Sequence, residues 1–106
     1  MTRLTIDEGP RGRDWVIAPA GELDIATADN LSDRIAQATA RWTRGRIVVD
    51  LAALSFIDSC GLRVLLSAAG AARADGGRLR LLPGPVAVQR LFAVTGTEPL
   101  LPFAGE

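Results

Sequence analysis

The chain reads as an α/β domain in which a mixed sheet of four or five strands carries its helices mainly on one face. Three observations predict this. Near the start, apolar and polar residues alternate on either side of a break marked by Gly and Pro, the pattern of a hairpin. Beyond residue 27, stretches with helical spacing take turns with short apolar runs of strand length. That alternation places strands in parallel, joined by right-handed crossovers. The length of 106 residues suits a single domain, here 1–106.

The elements follow in order. Leu4 and Ile6 alternate with Thr5 and Asp7, Gly9-Pro10-Arg11-Gly12 interrupts, and Trp15-Val16-Ile17-Ala18 resumes, giving two strands and a turn. Pro19 has no N–H for a ladder, so the second strand is expected at an edge or bulged there. Thr27 stands as an N-cap before Leu31, Ile35, Ala38 and Trp42, which line one face of a helix ending before Gly45. The run Arg46 to Leu51 reads as a central strand buried on both faces. Leu62, Leu65, Leu66, Ala69 and Ala72 mark a second helix that stops at Gly76-Gly77. Arg78 to Leu82 gives another strand. Pro85 opens a third helix with Val88, Leu91 and Phe92 before Gly96, and Leu100 to Phe103 adds a short last strand. Trp15 and Trp42 read as core or core-rim packing, and Arg73, Arg78 and Arg80 as a solvated face.

Composition narrows the function. The chain has no histidine, which excludes a Ser-His-Asp hydrolase and a Cys-His protease. A zinc site would have to be assembled from carboxylates and one thiol. No catalytic residue, metal ligand or cofactor is therefore assigned, and the expectation is a protein that is not an enzyme. Twelve basic and twelve acidic residues cancel without a basic patch, so no nucleic-acid partner is expected. Apolar runs fall short of the roughly 20 residues that span a bilayer, and no signal-peptide core follows Met1. The reading is a cytoplasmic protein with no membrane partner. Cys60 stands alone, so no internal disulfide forms. It is read as a small residue in a tight interface and not as a redox centre.

The segment Asp50 to Leu62 joins a strand to a helix and puts Asp58 and Ser59 at the first turn. Both are good capping residues, so these positions suit a capped helix with no further role.

The sequence Ile57-Asp58-Ser59-Cys60-Gly61-Leu62, preceded by Val48-Val49-Asp50-Leu51 and Leu54-Ser55-Phe56, resembles the signature of STAS-domain anti-sigma factor antagonists. The stretch Gly21-Glu22-Leu23-Asp24-Ile25-Ala26-Thr27-Ala28 is similar to the first loop of the same family, and Gly76-Gly77-Arg78-Leu79 and Val88 to Gly96 match it further along. The resemblance covers nearly the whole chain in order. It implies a STAS-like fold, phosphorylation at Ser59, and a partner surface of Asp24, Thr27, Asp58, Ser59, Cys60, Gly61, Leu62 and Arg63. The chemistry is consistent with that role, since a serine hydroxyl at a helix start is exposed and free N–H groups with the positive dipole end are expected to accommodate a phosphoryl group. The chain departs from the family pattern at Cys60, where Ser, Thr or Ala is frequent, and at Arg63, where Gly is frequent.

The implied partners are an anti-sigma factor with serine kinase activity and a serine phosphatase acting on the phosphoform. The unphosphorylated protein would bind the anti-sigma factor and release a sigma factor, and phosphorylation would end binding. The alternative is a non-phosphorylated STAS subunit of a phospholipid-transport ATPase complex. A small-molecule-binding domain has no support in the residues beyond the fold.

Overall fold

The computed structural model describes residues 3–104. Strands β1 (Leu4–Arg11) and β2 (Asp14–Leu23) form the antiparallel hairpin. Its turn is tighter than Gly9 to Gly12 suggests. Arg11 pairs with Asp14, and Pro10 stays in β1 opposite Trp15. A proline is tolerated there because β1 is an edge of the sheet.

Of the two settings expected for Pro19, the edge strand is not found, and the irregularity of β2 falls two residues beyond it. β2 lies inside the sheet, with β1 on one side and two parallel partners on the other: β3 (Ile47–Asp50) and β4 (Leu54–Ile57). Trp15 to Ile17 pair with β3, and Gly21 to Leu23 pair with β4 across a register shift between Gly21 and Glu22. Pro19 falls in the interval between these partners. The amides of Trp15 and Gly21 donate away from β1, to the carbonyls of Arg46 and Ala53. Alternation along the strand turns the Pro19 nitrogen the same way, where no ladder bond is due.

β3 is central, as its apolar run requires, between β2 and the parallel β5 (Leu79–Leu82). The short last strand is reduced to a 3-10 turn, Glu98–Leu100, and a single bridge between Phe103 and Leu81. The fifth strand is instead β4, within the segment that sequence reading treats as a connection.

Helices α1 (Ala28–Arg41), α2 (Ser59–Ala74) and α3 (Val86–Thr95) contribute to one core. Ile17, Val49 and Leu81 from the sheet meet Leu31 and Ile35 of α1, Leu62 and Leu65 of α2, and Val88 and Phe92 of α3 in a single buried cluster. Val16 and Val48 project from the other side of their strands and lie outside that cluster. The helices thus cover one face. No described helix is long and apolar enough to cross a membrane.

Trp15 and Trp42 form the rim expected of them, with ring centroids 5.2 Å apart. Each indole N–H donates at 2.9 Å, Trp15 to Glu8 Oε1 and Trp42 to the Arg13 carbonyl. Glu8 also pairs with Arg34 of α1. Arg78 departs from the solvated-face reading. Its guanidinium donates to the carbonyls of Thr39 (3.0 Å), Trp42 (2.8 Å) and Gly45 (2.8 Å). It satisfies one carbonyl in the last turn of α1 and two just beyond the helix.

Candidate functional site

The parallel strands β2 and β4 end together. Leu23 is in register with Ile57, and the Asp58 amide donates to the Leu23 carbonyl at 3.1 Å. The residues that follow each strand, Asp24 and Asp58, therefore emerge side by side at one edge of the sheet, with α1 leaving from one and α2 from the other.

The first of these turns is held by Thr27. It occupies the N-cap position of α1 but makes no capping bond to the helix. Its hydroxyl donates to the Glu22 carbonyl at 2.8 Å and accepts from the Asp24 amide at 3.0 Å. The Asp24 carboxylate in turn accepts from the Ala26 amide at 2.9 Å, and its carbonyl accepts from Thr27 and Ala28. Thr27 is only 5% exposed. It positions the loop and is not itself presented at the surface.

At the second turn, Asp58 is the true cap. Its backbone is extended (φ −114°, ψ −171°), and Oδ1 accepts from the amides of Cys60 at 2.9 Å and Gly61 at 3.1 Å. This corrects the expectation that free N–H groups await a phosphoryl group. Two of the helix donors are already taken by a carboxylate. Ser59 begins α2, is exposed, and its hydroxyl makes no hydrogen bond among the described residues.

Gly61 and Leu62 are buried beneath this surface and not part of it. A Cβ at Gly61 would stand 2.8 Å from both Cγ and the carbonyl oxygen of Leu23, and 2.9 Å from Cγ1 of Ile57. Only a residue without a side chain lets α2 approach the strand ends so closely. Leu62 belongs to the core. Of the predicted surface residues, Ser59 and Arg63 are exposed, and Asp24, Asp58 and Cys60 are half-buried.

Two neighbours escaped sequence reading. Ile25 at the tip of the first loop is 78% exposed, and Phe56 in β4 is 48% exposed. Phe56 pairs in register with Glu22. The available signal for Ile25 was an isolated branched apolar residue between Asp24 and Ala26 in a turn. Phe56 was hidden because Leu54–Ile57 buries its two ends and exposes its two middle residues, which breaks strict alternation.

Among the described residues, no group of three or more candidate metal ligands comes together. A cleft of about 530 Å³ lies between α1 and α2, but its Thr39, Ala72, Asp75 and Arg78 are at the opposite end of α2 from Ser59.

A family model described as STAS domain matches residues 6–105. A relative in Bordetella bronchiseptica, named as the anti-sigma factor antagonist BtrV, is 33% identical over 84 residues, covering 79% of this chain and 72% of that one. The solved structure of the anti-sigma factor antagonist SpoIIAA in its unphosphorylated form has a TM-score of 0.75 and 27% identity, covering 96% of this chain and 90% of that one. The phosphorylated form of the Bacillus protein SpoIIAA has a TM-score of 0.69 and 26% identity, over 96% and 93% of the two chains. An anti-sigma factor antagonist from Mycobacterium paratuberculosis shares the fold, with a TM-score of 0.80 at 22% identity over 98% and 87%. The match of the family model across almost all of the chain, with a relative one-third identical over most of its length, shows that this protein belongs to the STAS-domain family of anti-sigma factor antagonists.

Proposed function

We propose that this chain, as one STAS domain, is a cytoplasmic anti-sigma factor antagonist whose association is switched by phosphorylation of Ser59. In its unmodified form it binds an anti-sigma factor that is also a serine kinase, and so frees a sigma factor. The observation that carries the reading is an exposed, unbonded serine hydroxyl that directly follows the anchored carboxylate of Asp58, with that of Asp24 at the adjoining strand end. The hydroxyl is open to a kinase, while Asp24 and Asp58 are held by the turns around it. The solved phosphorylated and unphosphorylated forms of SpoIIAA add support.

In this reading the kinase supplies the catalytic groups. The γ-phosphorus of ATP forms a bond to Ser59 Oγ as its bond to ADP breaks, and the hydroxyl proton passes to a base of the kinase. A phosphatase reverses the change with water, leaving serine and inorganic phosphate. Because Asp58 already engages the amides of Cys60 and Gly61, the added group, with nearly two negative charges, stays outside the helix end. There it confronts whatever has docked against Asp24, Asp58 and Ser59. Like charge and bulk at the centre of a contact raise the dissociation constant without unfolding the domain.

The test is binding of wild type, Ser59→Ala, Ser59→Asp and kinase-treated protein to the candidate anti-sigma factor, with mass spectrometry at Ser59. Ser59→Ala should stay bound in the presence of ATP, and Ser59→Asp and the phosphoform should bind more weakly. Equal binding by both variants and wild type would remove Ser59 from the switch.

A further inference from the structure

We propose that Arg63 clasps the phosphoryl group once Ser59 carries it, folding the group back along the exposed face of α2. The inference rests on the reading of Ser59 as the modified residue and adds the intramolecular partner of the modification. Ser59 and Arg63 are both in α2, four residues apart, and both are exposed. Side chains at that spacing lie one above the other on a helix, and helical side chains lean toward the N-terminus. A side chain at position 63 can thus reach back toward position 59. An acidic group on the N-terminal member of such a pair and a base on the C-terminal member is the favourable order.

Two further observations point the same way. Arg63 makes no hydrogen bond or ion pair among the described residues, and it is the only basic residue between Arg46 and Arg73. Two of the alternative donors for a phosphoryl group, the amides of Cys60 and Gly61, are already held by Asp58. A guanidinium offers a planar fork that matches two phosphate oxygens at once, which a single ammonium does not. The charged groups around the site divide clearly. Asp58 at the start of α2 and Asp24 in the neighbouring turn disfavour the dianion, and Arg63 favours it.

The experiment uses the full chain with phosphoserine placed at position 59 during synthesis, which makes it independent of any kinase. Phosphorus NMR follows the second ionisation of the phosphoserine, near pH 6, in wild type, Arg63→Gln and Arg63→Lys. The wild-type midpoint should lie about 0.3 units below that of Arg63→Gln, with Arg63→Lys between them, and the gap should shrink at high salt. Because Arg63 is exposed and unpaired, melting curves of the three unmodified proteins should coincide. Identical midpoints in folded wild type and Arg63→Gln would overturn the clasp and leave the switch standing. A kinase that never modifies Ser59 would overturn the switch without touching this result.

Discussion

At the scale of single residues, Asp58 and Ser59 are adjacent, similar in size and equally good caps by type, yet they do different work. Asp58 takes the extended backbone of an N-cap and binds two amides, while Ser59 enters the helix with a free hydroxyl. Asp58→Ala should therefore cost about 1 kcal/mol, within a range of 0.5 to 2, and Ser59→Ala no more than about 0.5 kcal/mol. Urea denaturation at constant m-value measures both, and equal losses would reverse the assignment. Gly61→Ala should be costlier, about 1 to 3 kcal/mol, because the new methyl group meets the backbone of Leu23. Sequence alone located the pair but did not tell cap from free hydroxyl, since the difference lies in backbone angles. The resemblance likewise put Thr27, Gly61 and Leu62 on a surface from which their burial in the assembled fold removes them.

At the scale of elements, the regular helices were legible and the irregular strand was not. Leu31, Ile35 and Ala38 bury one stripe of α1 as their spacing requires, and Val88 and Phe92 do so in α3. β4 escaped because four residues with both ends buried match neither template, and because its pairing with β2 depends on a register shift that no local pattern reveals. Contacts between distant elements were equally hidden. Arg78, read as solvated, binds three carbonyls at and beyond the end of α1, so Arg78→Met should destabilise the fold by about 2 kcal/mol in the same urea assay. Asp14 and Arg46 join the start of β2 to the approach to β3 through two side-chain bonds and one backbone bond. The Arg46 hydrogen bonds hold the Asp14 carboxyl below its ordinary value of 3.8, against a smaller opposing effect of burial. A carboxyl whose folded value is depressed stabilises the fold above its unfolded value, and that contribution is lost as pH falls through the folded one. Wild type should consequently melt above Asp14→Asn at pH 7, with the gap closing as pH drops below about 3.8 and narrowing in high salt. A gap unchanged at low pH would show that the pair's charge contributes nothing.

At the scale of the whole molecule, the architecture was readable because one face of the sheet and one stripe of each helix must share a core. Leu65, fully buried at that junction, should cost about 2 to 4 kcal/mol as Leu65→Ala. The docking surface was less readable, because exposure is a property of the assembled fold. Ile25, Phe56, Val86 and Val94 are all apolar and exposed, and single exposed apolar residues need no explanation. Their distribution separates them. Ile25 belongs to the turn that presents Asp24, and Phe56 to the strand that leads into Asp58 and Ser59, whereas Val86 and Val94 lie on α3. In the function proposed above, a kinase that reaches Ser59 must cover its surroundings, and an apolar side chain at the centre of such a contact becomes fully desolvated. Burying a branched side chain yields about 1.5 to 3 kcal/mol, and part of that is offset by ordering both partners. Ile25→Ser should then weaken binding to the anti-sigma factor by about tenfold, equivalent to about 1.4 kcal/mol. Val94→Ser, nearly as exposed at 73% against 78%, should leave affinity unchanged. Neither side chain is packed, so both variants should melt with wild type, and any loss of affinity is then a loss of contact. Titration calorimetry of the three proteins decides it. Equal affinities would leave Ile25 outside the interface, and an equal loss for Val94→Ser would show that the partner grips α3 as firmly as the strand ends beside Ser59.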